Sequence, residues 1–241
     1  MTDGPLLAAL GLAALAGLSI PLGGFLARIE SVWPGWTTAE ARHTVIAFGG
    51  GALLAAVALV LVPDGVESLP GPPALLAFMA GGVVFFLCDR ALERRGGHAS
   101  QFMAMVLDYL PEAMALGALL AADPRKAVLL AVLIALQNLP ESFNAYREIE
   151  EAPKAPSPGR VMVVLCAMVL LGPLAAAVGA VWLTEAPAIL GAIMLFAGGG
   201  IIYLMFQDVA PQVQLENRWG PPLGAVAGFG LGLAGHLMLH G

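Results

Sequence analysis

Charge is what this chain has least of. Only 12 % of its residues are Asp, Glu, Lys or Arg, about half the fraction found in an average soluble domain. The eleven Lys and Arg form no stripe or cluster able to hold a phosphate backbone, so nucleic acid is not expected as a partner. Cysteine is nearly absent. Cys88 and Cys166 both fall within apolar stretches, give no disulfide framework and are expected to serve as small packing residues. The sequence contains no His-Glu-x-x-His zinc motif and no Ser/His pair near its central polar residues, so it is read as a non-enzyme. Met1-Thr2-Asp3 lacks the positive region of a signal peptide, and the first apolar segment is therefore expected to stay in the mature protein. No polar stretch is long enough for a soluble domain.

What the chain has in excess is apolar surface: 59 % hydrophobic residues, with 30 Gly and 18 Pro, and a mean hydropathy of +0.85. High Gly and Pro suit membrane helices better than soluble ones. A helix needs about 20 apolar residues to cross a hydrocarbon core. On that rule the expected fold is an all-α membrane protein with eight transmembrane helices in a single domain over 1–241. The spans are expected at 5–27, 43–63, 73–92, 101–121, 125–147, 160–183, 187–208 and 220–239. The longest linker runs from Glu148 to Gly159, where Pro153, Pro156 and Pro158 exclude a helix.

The basic residues give an orientation. With the N-terminus outside, the inner loops receive Arg28, Arg42, Arg90, Arg94, Arg95, Arg147, Lys154, Arg160 and Arg218, and only Arg125 and Lys126 fall outside. The positive-inside rule then places both termini outside a cell membrane. Two of the spans also resemble each other. Gly49-Gly50-Gly51 opens an apolar run that ends at Pro63-Asp64, and Gly198-Gly199-Gly200 opens one that ends at Asp208 and Pro211. Spans five crossings apart run in opposite directions. The pattern predicts an inverted repeat of three spans on each side of a central pair, a 3+2+3 plan whose site lies at the midplane. Small residues at these positions, and at Gly224, Gly228 and Gly232, let helices approach closely in lipid.

The central pair carries the chemistry. Leu110-Pro111-Glu112 and Leu139-Pro140-Glu141 interrupt the fourth and fifth spans 29 residues apart. Ionisable groups this deep in an apolar span are functional by default. Asp108 and Glu112 share one face of the fourth span about 6 Å apart along the axis, and Gln137 and Glu141 repeat the spacing in the fifth. Each proline leaves a carbonyl one turn upstream, those of Leu107 and Leu136, without its helical donor. Each Glu falls near the middle of its helix, so the two are expected to meet at one depth. Three carboxylates gathered in low dielectric stay ionised only when a cation neutralises them. Carboxylates, an amide oxygen and freed carbonyls together make a cation site.

At these residues the chain resembles the ZIP (Zrt/Irt-like) family of divalent-metal transporters. The family's fourth helix carries His-Asn-x-Pro-Glu-Gly, and its bacterial branch often has Gln-Asn-x-Pro-Glu-Gly in the fifth. Here the fifth span reads Gln137-Asn138-Leu139-Pro140-Glu141-Ser142 and the fourth reads Asp108-Tyr109-Leu110-Pro111-Glu112-Ala113. The motifs cover about a dozen residues, and the number of spans and short loops extends the likeness along the chain. The resemblance implies eight spans, both termini outside, a homodimer, and a metal held by Glu112, Gln137, Asn138 and Glu141, with Asp108 in place of the family's His. The substrate it implies is zinc, iron or manganese, with no organic cofactor. Three family features are replaced: the fourth-helix Asn by Tyr109, a sixth-helix Glu-Pro by Gly172-Pro173, and a His-rich loop by His98 alone. These losses keep two alternatives in view, a ZIP-like metal sensor or assembly partner without transport, and an intramembrane enzyme using paired carboxylates.

Other polar residues rank lower. His236 and His240 stand one turn apart near the C-terminus, Asp64 and Glu67 at the outer end of the second span, and Asp89 and Asp208 at inner ends. The histidine pair reads first as incidental, and each carboxylate as a solvated helix-end group, as does His43. Met103, Met105 and Met114 flank the site and are read as packing.

Overall fold

The computed structural model describes residues 3–32, 38–94, 100–153, 155–213 and 219–240. Arg95, His98, Lys154 and Arg218 lie outside the described residues, and so does the side chain of His240. Among the described residues every regular element is a helix. Eight are long and apolar enough to cross a membrane: Leu6–Val32, Ala39–Ser68, Pro72–Leu92, Phe102–Ala122, Pro124–Glu150, Pro158–Leu183, Pro187–Gln212 and Gly220–Leu239. This is the architecture of a multi-pass membrane protein. All eight overlap the expected spans, and several run past their expected ends, because polar contacts carry the helix beyond its apolar stretch. Thr38 accepts a hydrogen bond from the Ala41 N–H at 3.1 Å and starts the second span early. Glu30 pairs with Arg42 at 3.0 Å and with Arg147 at 3.4 Å, tying together extra turns of the first, second and fifth spans. At the opposite end Asp123 caps the fifth span by accepting from the N–H groups of Arg125 and Lys126, with Pro124 in the first turn.

Proline sets most of the irregularities inside the spans. The first span breaks at Leu18, between Asp3–Gly17 and Ser19–Val32, where Pro21 offers no N–H to the carbonyl of Gly17. The sixth breaks between Pro158–Met168 and Leu171–Val178, where Pro173 denies a donor to Val169. Three spans contain a π turn: the sixth at Gly179–Leu183, and the second and seventh at Val57–Leu61 and Met205–Val209, each of these last two with a proline two residues beyond it. In both, the N–H just before the proline reaches back five residues, from Val62 to Val57 and from Ala210 to Met205. The wider turn absorbs the missing proline donor within a continuous helix.

The second span is the most enclosed, with 67 % of its apolar window buried, and the fourth, fifth and seventh follow at 56 %. The third and eighth are peripheral, at 11 % and 17 %. The second span packs on the eighth and the seventh on the third, while the first packs on the fifth and the sixth on the fourth. Glycine permits these contacts. A side chain on Gly51 would strike the backbone of Ala225 and Phe229, and one on Gly199 would strike the backbone of Phe78. The triplets are thus points of helix–helix approach. Cys88 is half-buried, but Cys166 is exposed, so the packing role expected for Cys166 does not hold: it lies on an outward face of the sixth span.

Candidate functional site

The fourth and fifth spans form an antiparallel hairpin about the Asp123–Pro124 turn, and this turn fixes their register. Glu112 comes opposite Gln137, whose Nε2 donates to Glu112 Oε2 at 2.6 Å. One turn further from the Asp123 end, Asp108 comes opposite Glu141, and each lies within range of the other's charge and of Glu112. The site is therefore two rungs about 6 Å apart, with a carboxylate and an amide on one and two carboxylates on the other. The expectation that Glu112 and Glu141 meet at one depth is corrected by this register: they sit on successive rungs. Asn138 lies beside the first rung on the same turn as Gln137.

Asp108, Glu112, Gln137 and Asn138 are all buried, at 2 % exposure or less, and Glu141 is partly exposed. Each of the five has at least one buried polar atom with no hydrogen-bond partner: Asp108 Oδ1, Glu112 Oε1, Gln137 Oε1, both amide atoms of Asn138, and Glu141 Oε2. Among the described residues only His43, Asp64 and Tyr146 share that condition. A buried polar atom left unsatisfied costs roughly 1–3 kcal/mol. Six such atoms together match the whole stability of a typical domain, about 5–15 kcal/mol. Such a set calls for a polar occupant, and three carboxylates make a cation the favourable one.

In this conformation the donors do not converge into a coordination shell. Among the described residues, no three His, Cys, Asp or Glu side chains come together as a ready metal-holding group. In the first rung the Gln137 amide points its N–H at Glu112 Oε2. Turning that amide over would present Oε1 in place of Nε2 and free Glu112 Oε2 as well. The donor set would then consist of oxygen, from three carboxylates and two amides.

Helix packing holds both half-sites closely. The first span presses Gly23 against the Leu139 carbonyl and the Ser142 side chain, while Gly49 of the second span faces the Pro140 ring. Ser142 is buried and donates to the Leu139 carbonyl at 3.1 Å. On the other side Tyr109 is wholly buried and its phenol donates to the Ala13 carbonyl at 3.4 Å. The same phenol sits over Gly17 and Gly172, where any added Cβ would collide with it. Along the sequence, Tyr109 and Gly172 are two separate departures from the ZIP pattern. In the structure they are one packing unit, a large residue filling the space that a small one leaves.

The lower-ranked residues fall elsewhere. Asp64 is buried and pairs with Lys126 at 2.8 Å, a link between the second and fifth spans not expected from the sequence. Asp89 accepts from the Tyr203 hydroxyl at 2.8 Å. Asp208 lies in the π turn of the seventh span, and both Asp208 and His236 are engaged in interactions. His43 is half-buried near the start of the second span, away from the rungs. Met105 and Met114 belong to the core and its margin. The chain matches no family model and no curated protein.

Proposed function

We propose that the protein is a divalent-cation transporter of the ZIP type, with the two rungs of the fourth and fifth spans as its substrate site. The observation that carries this reading is the set of orphaned polar atoms. All five residues picked from the sequence present them, in the middle of an apolar bundle where such atoms are costly. Glu112 and Glu141 would neutralise the cation, Asp108 would add a third carboxylate beside it, and Gln137 would exchange its hydrogen bond to Glu112 for coordination through Oε1. Asn138 would supply a further amide oxygen. Zinc, manganese and iron are the candidate substrates.

An alternating-access plan fits the same bundle. The 3+2+3 inverted repeat is supported by four likenesses between the first three spans and the last three. The first and sixth are broken by proline, and the second and seventh share a Gly triplet, a π turn and a following proline. The third and eighth are both peripheral, and each packing contact has a counterpart under the exchange: second on eighth with seventh on third, first on fifth with sixth on fourth. Both termini outside is the orientation favoured by the basic residues, and Glu141 then lies on the inner side of the Glu112–Gln137 rung. A homodimer in the cell membrane is carried by the resemblance alone.

The test is uptake of zinc or manganese by proteoliposomes holding the purified protein, compared with the double variant Glu112→Ala/Glu141→Ala. Wild type should accumulate the metal and the variant should not. Binding without flux in wild type would make the protein a metal sensor with the same site, and unimpaired flux in the variant would move the path elsewhere.

A further inference from the structure

A second cavity lies at the Lys126 end of the bundle, separate from the rungs. It is open to the surface and offers about 480 Å³ between the second, fourth, fifth, sixth and seventh spans. Its charged lining is Asp64, Glu67, Asp123 and Lys126. The floor on the fourth span includes Ala118 and Leu119, about 10 Å along the helix from Glu112. Leu116, Leu130, Leu133 and Ile134, all buried, lie between floor and rungs.

The charges in this cavity do not balance. Three carboxylates face one ammonium, leaving a formal excess of two negative charges. The ammonium of Lys126 is bound to Asp64 Oδ1 at 2.8 Å and also feels Asp123 and Glu67. Asp64 itself is only 8 % exposed, and its other oxygen, Oδ2, is buried with no hydrogen-bond partner. One oxygen of Asp123, Oδ1, is committed to the cap of the fifth span. A buried half-satisfied carboxylate, two more carboxylates and a single flexible cation are what a divalent ion would meet on arrival. There is room for it with its water, since six waters take up roughly 180 Å³ at about 30 Å³ each.

We infer that this cavity is a loading site for a hydrated divalent cation, and that the Lys126 ammonium is a tethered competitor which the arriving ion displaces from Asp64. The inference rests on the transport reading for its cargo, but the site stands on its own residues. Displacement exchanges one positive charge for two at the carboxylates, while the long lysine side chain swings its head toward water at little cost. A monovalent ion gains no such advantage over the ammonium already there. The lysine therefore acts as a filter for charge at the mouth of the bundle.

The experiment uses full-length protein with the central site removed by Glu112→Ala/Glu141→Ala, purified in detergent, with Mn²⁺ alone as the probe and binding read by electron paramagnetic resonance. Adding Lys126→Gln should strengthen the residual Mn²⁺ binding by about tenfold or more, the scale expected for deleting a charge in direct contact with the site. Lys126→Arg should leave it near the starting value, and Asp64→Asn should abolish it. Glu67→Gln leaves the Lys126–Asp64 pair intact, so it remains informative if the lysine variant fails to fold, and it should weaken the residual binding several-fold. Residual binding that is absent, or unchanged by both Lys126→Gln and Glu67→Gln, overturns the loading site. Failure of the transport reading appears separately, as wild-type binding that Glu112→Ala/Glu141→Ala does not reduce.

Discussion

At the scale of single residues, the proposed site depends on which atoms would face a cation. Imidazole and thiolate suit zinc, whereas carboxylate and carbonyl oxygens suit manganese and other harder ions. With Asp108 at the position where the ZIP pattern carries His, the proposed donors are oxygen only, so discrimination for zinc should be weak. Asp108→His restores a nitrogen donor and should raise the affinity for zinc relative to manganese in a competition assay at fixed pH. An unmoved ratio would mean that Asp108 is not a ligand. Gln137 is the second lever. Its amide now donates to Glu112 at 2.6 Å, and Gln137→Glu replaces that donor with a fourth carboxylate. Metal affinity should rise at neutral pH, measured by titration calorimetry. Carboxylates bind metal only when deprotonated, so affinity should fall as pH falls, and more steeply in the variant, which has one more proton to lose. A pH slope equal to that of wild type would argue that Gln137 does not face the metal. The five residues stand out in the sequence because charges and prolines inside apolar spans have few structural excuses. The Gln137–Glu112 hydrogen bond was not legible, since either end of an amide can meet a carboxylate's neighbourhood and only packing decides which.

At the scale of helices, small residues decide how near the flanking spans come to the central hairpin. Tyr109 and Gly172 lie 63 positions apart, and nothing in either local sequence announces that they touch. Their contact makes a specific prediction. Gly172→Ala forces the new methyl into the Tyr109 phenol and should destabilise the folded protein by about 1–3 kcal/mol, the usual cost of overpacking. Tyr109→Leu vacates that space, so the double variant should be more stable than the sum of the two single effects. Additivity within about 0.5 kcal/mol, in thermal melts of the detergent-solubilised protein, would contradict the contact. Helix ends were less legible than helix centres for a related reason. Val32 and Glu150 lie beyond their apolar stretches and stay helical through contacts made at a distance, such as Glu30 with Arg42 and Arg147 and Ser31 with Glu150. The π turns were not legible either, although Pro63 and Pro211 mark two of the three.

At the scale of the whole molecule, eight crossings were plain from apolar length alone, and the basic residues order those crossings across a membrane. The orientation has a direct check in a protein from which Cys88 and Cys166 have been removed. Lys154→Cys should resist a membrane-impermeant thiol reagent on intact cells and react after permeabilisation, while a cysteine at Lys126 should react from outside. Outside labelling at Lys154 would reverse the bundle and, with it, the side of the membrane toward which Glu141 lies. What no reading of one span reveals is how the spans answer each other across the middle. That correspondence depends on register at the Asp123–Pro124 turn, which sets Glu112 against Gln137 and Asp108 against Glu141. The central claim is that a divalent cation sits between those rungs. The most direct measurement is anomalous diffraction from crystals of the full-length protein loaded with Zn²⁺ or Mn²⁺. The account predicts an anomalous peak between the fourth and fifth spans, coordinated by Glu112, Glu141 and Asp108 and by the Gln137 oxygen with its amide turned over. A metal-loaded crystal with no peak between those spans, and Gln137 still donating to Glu112, would contradict it.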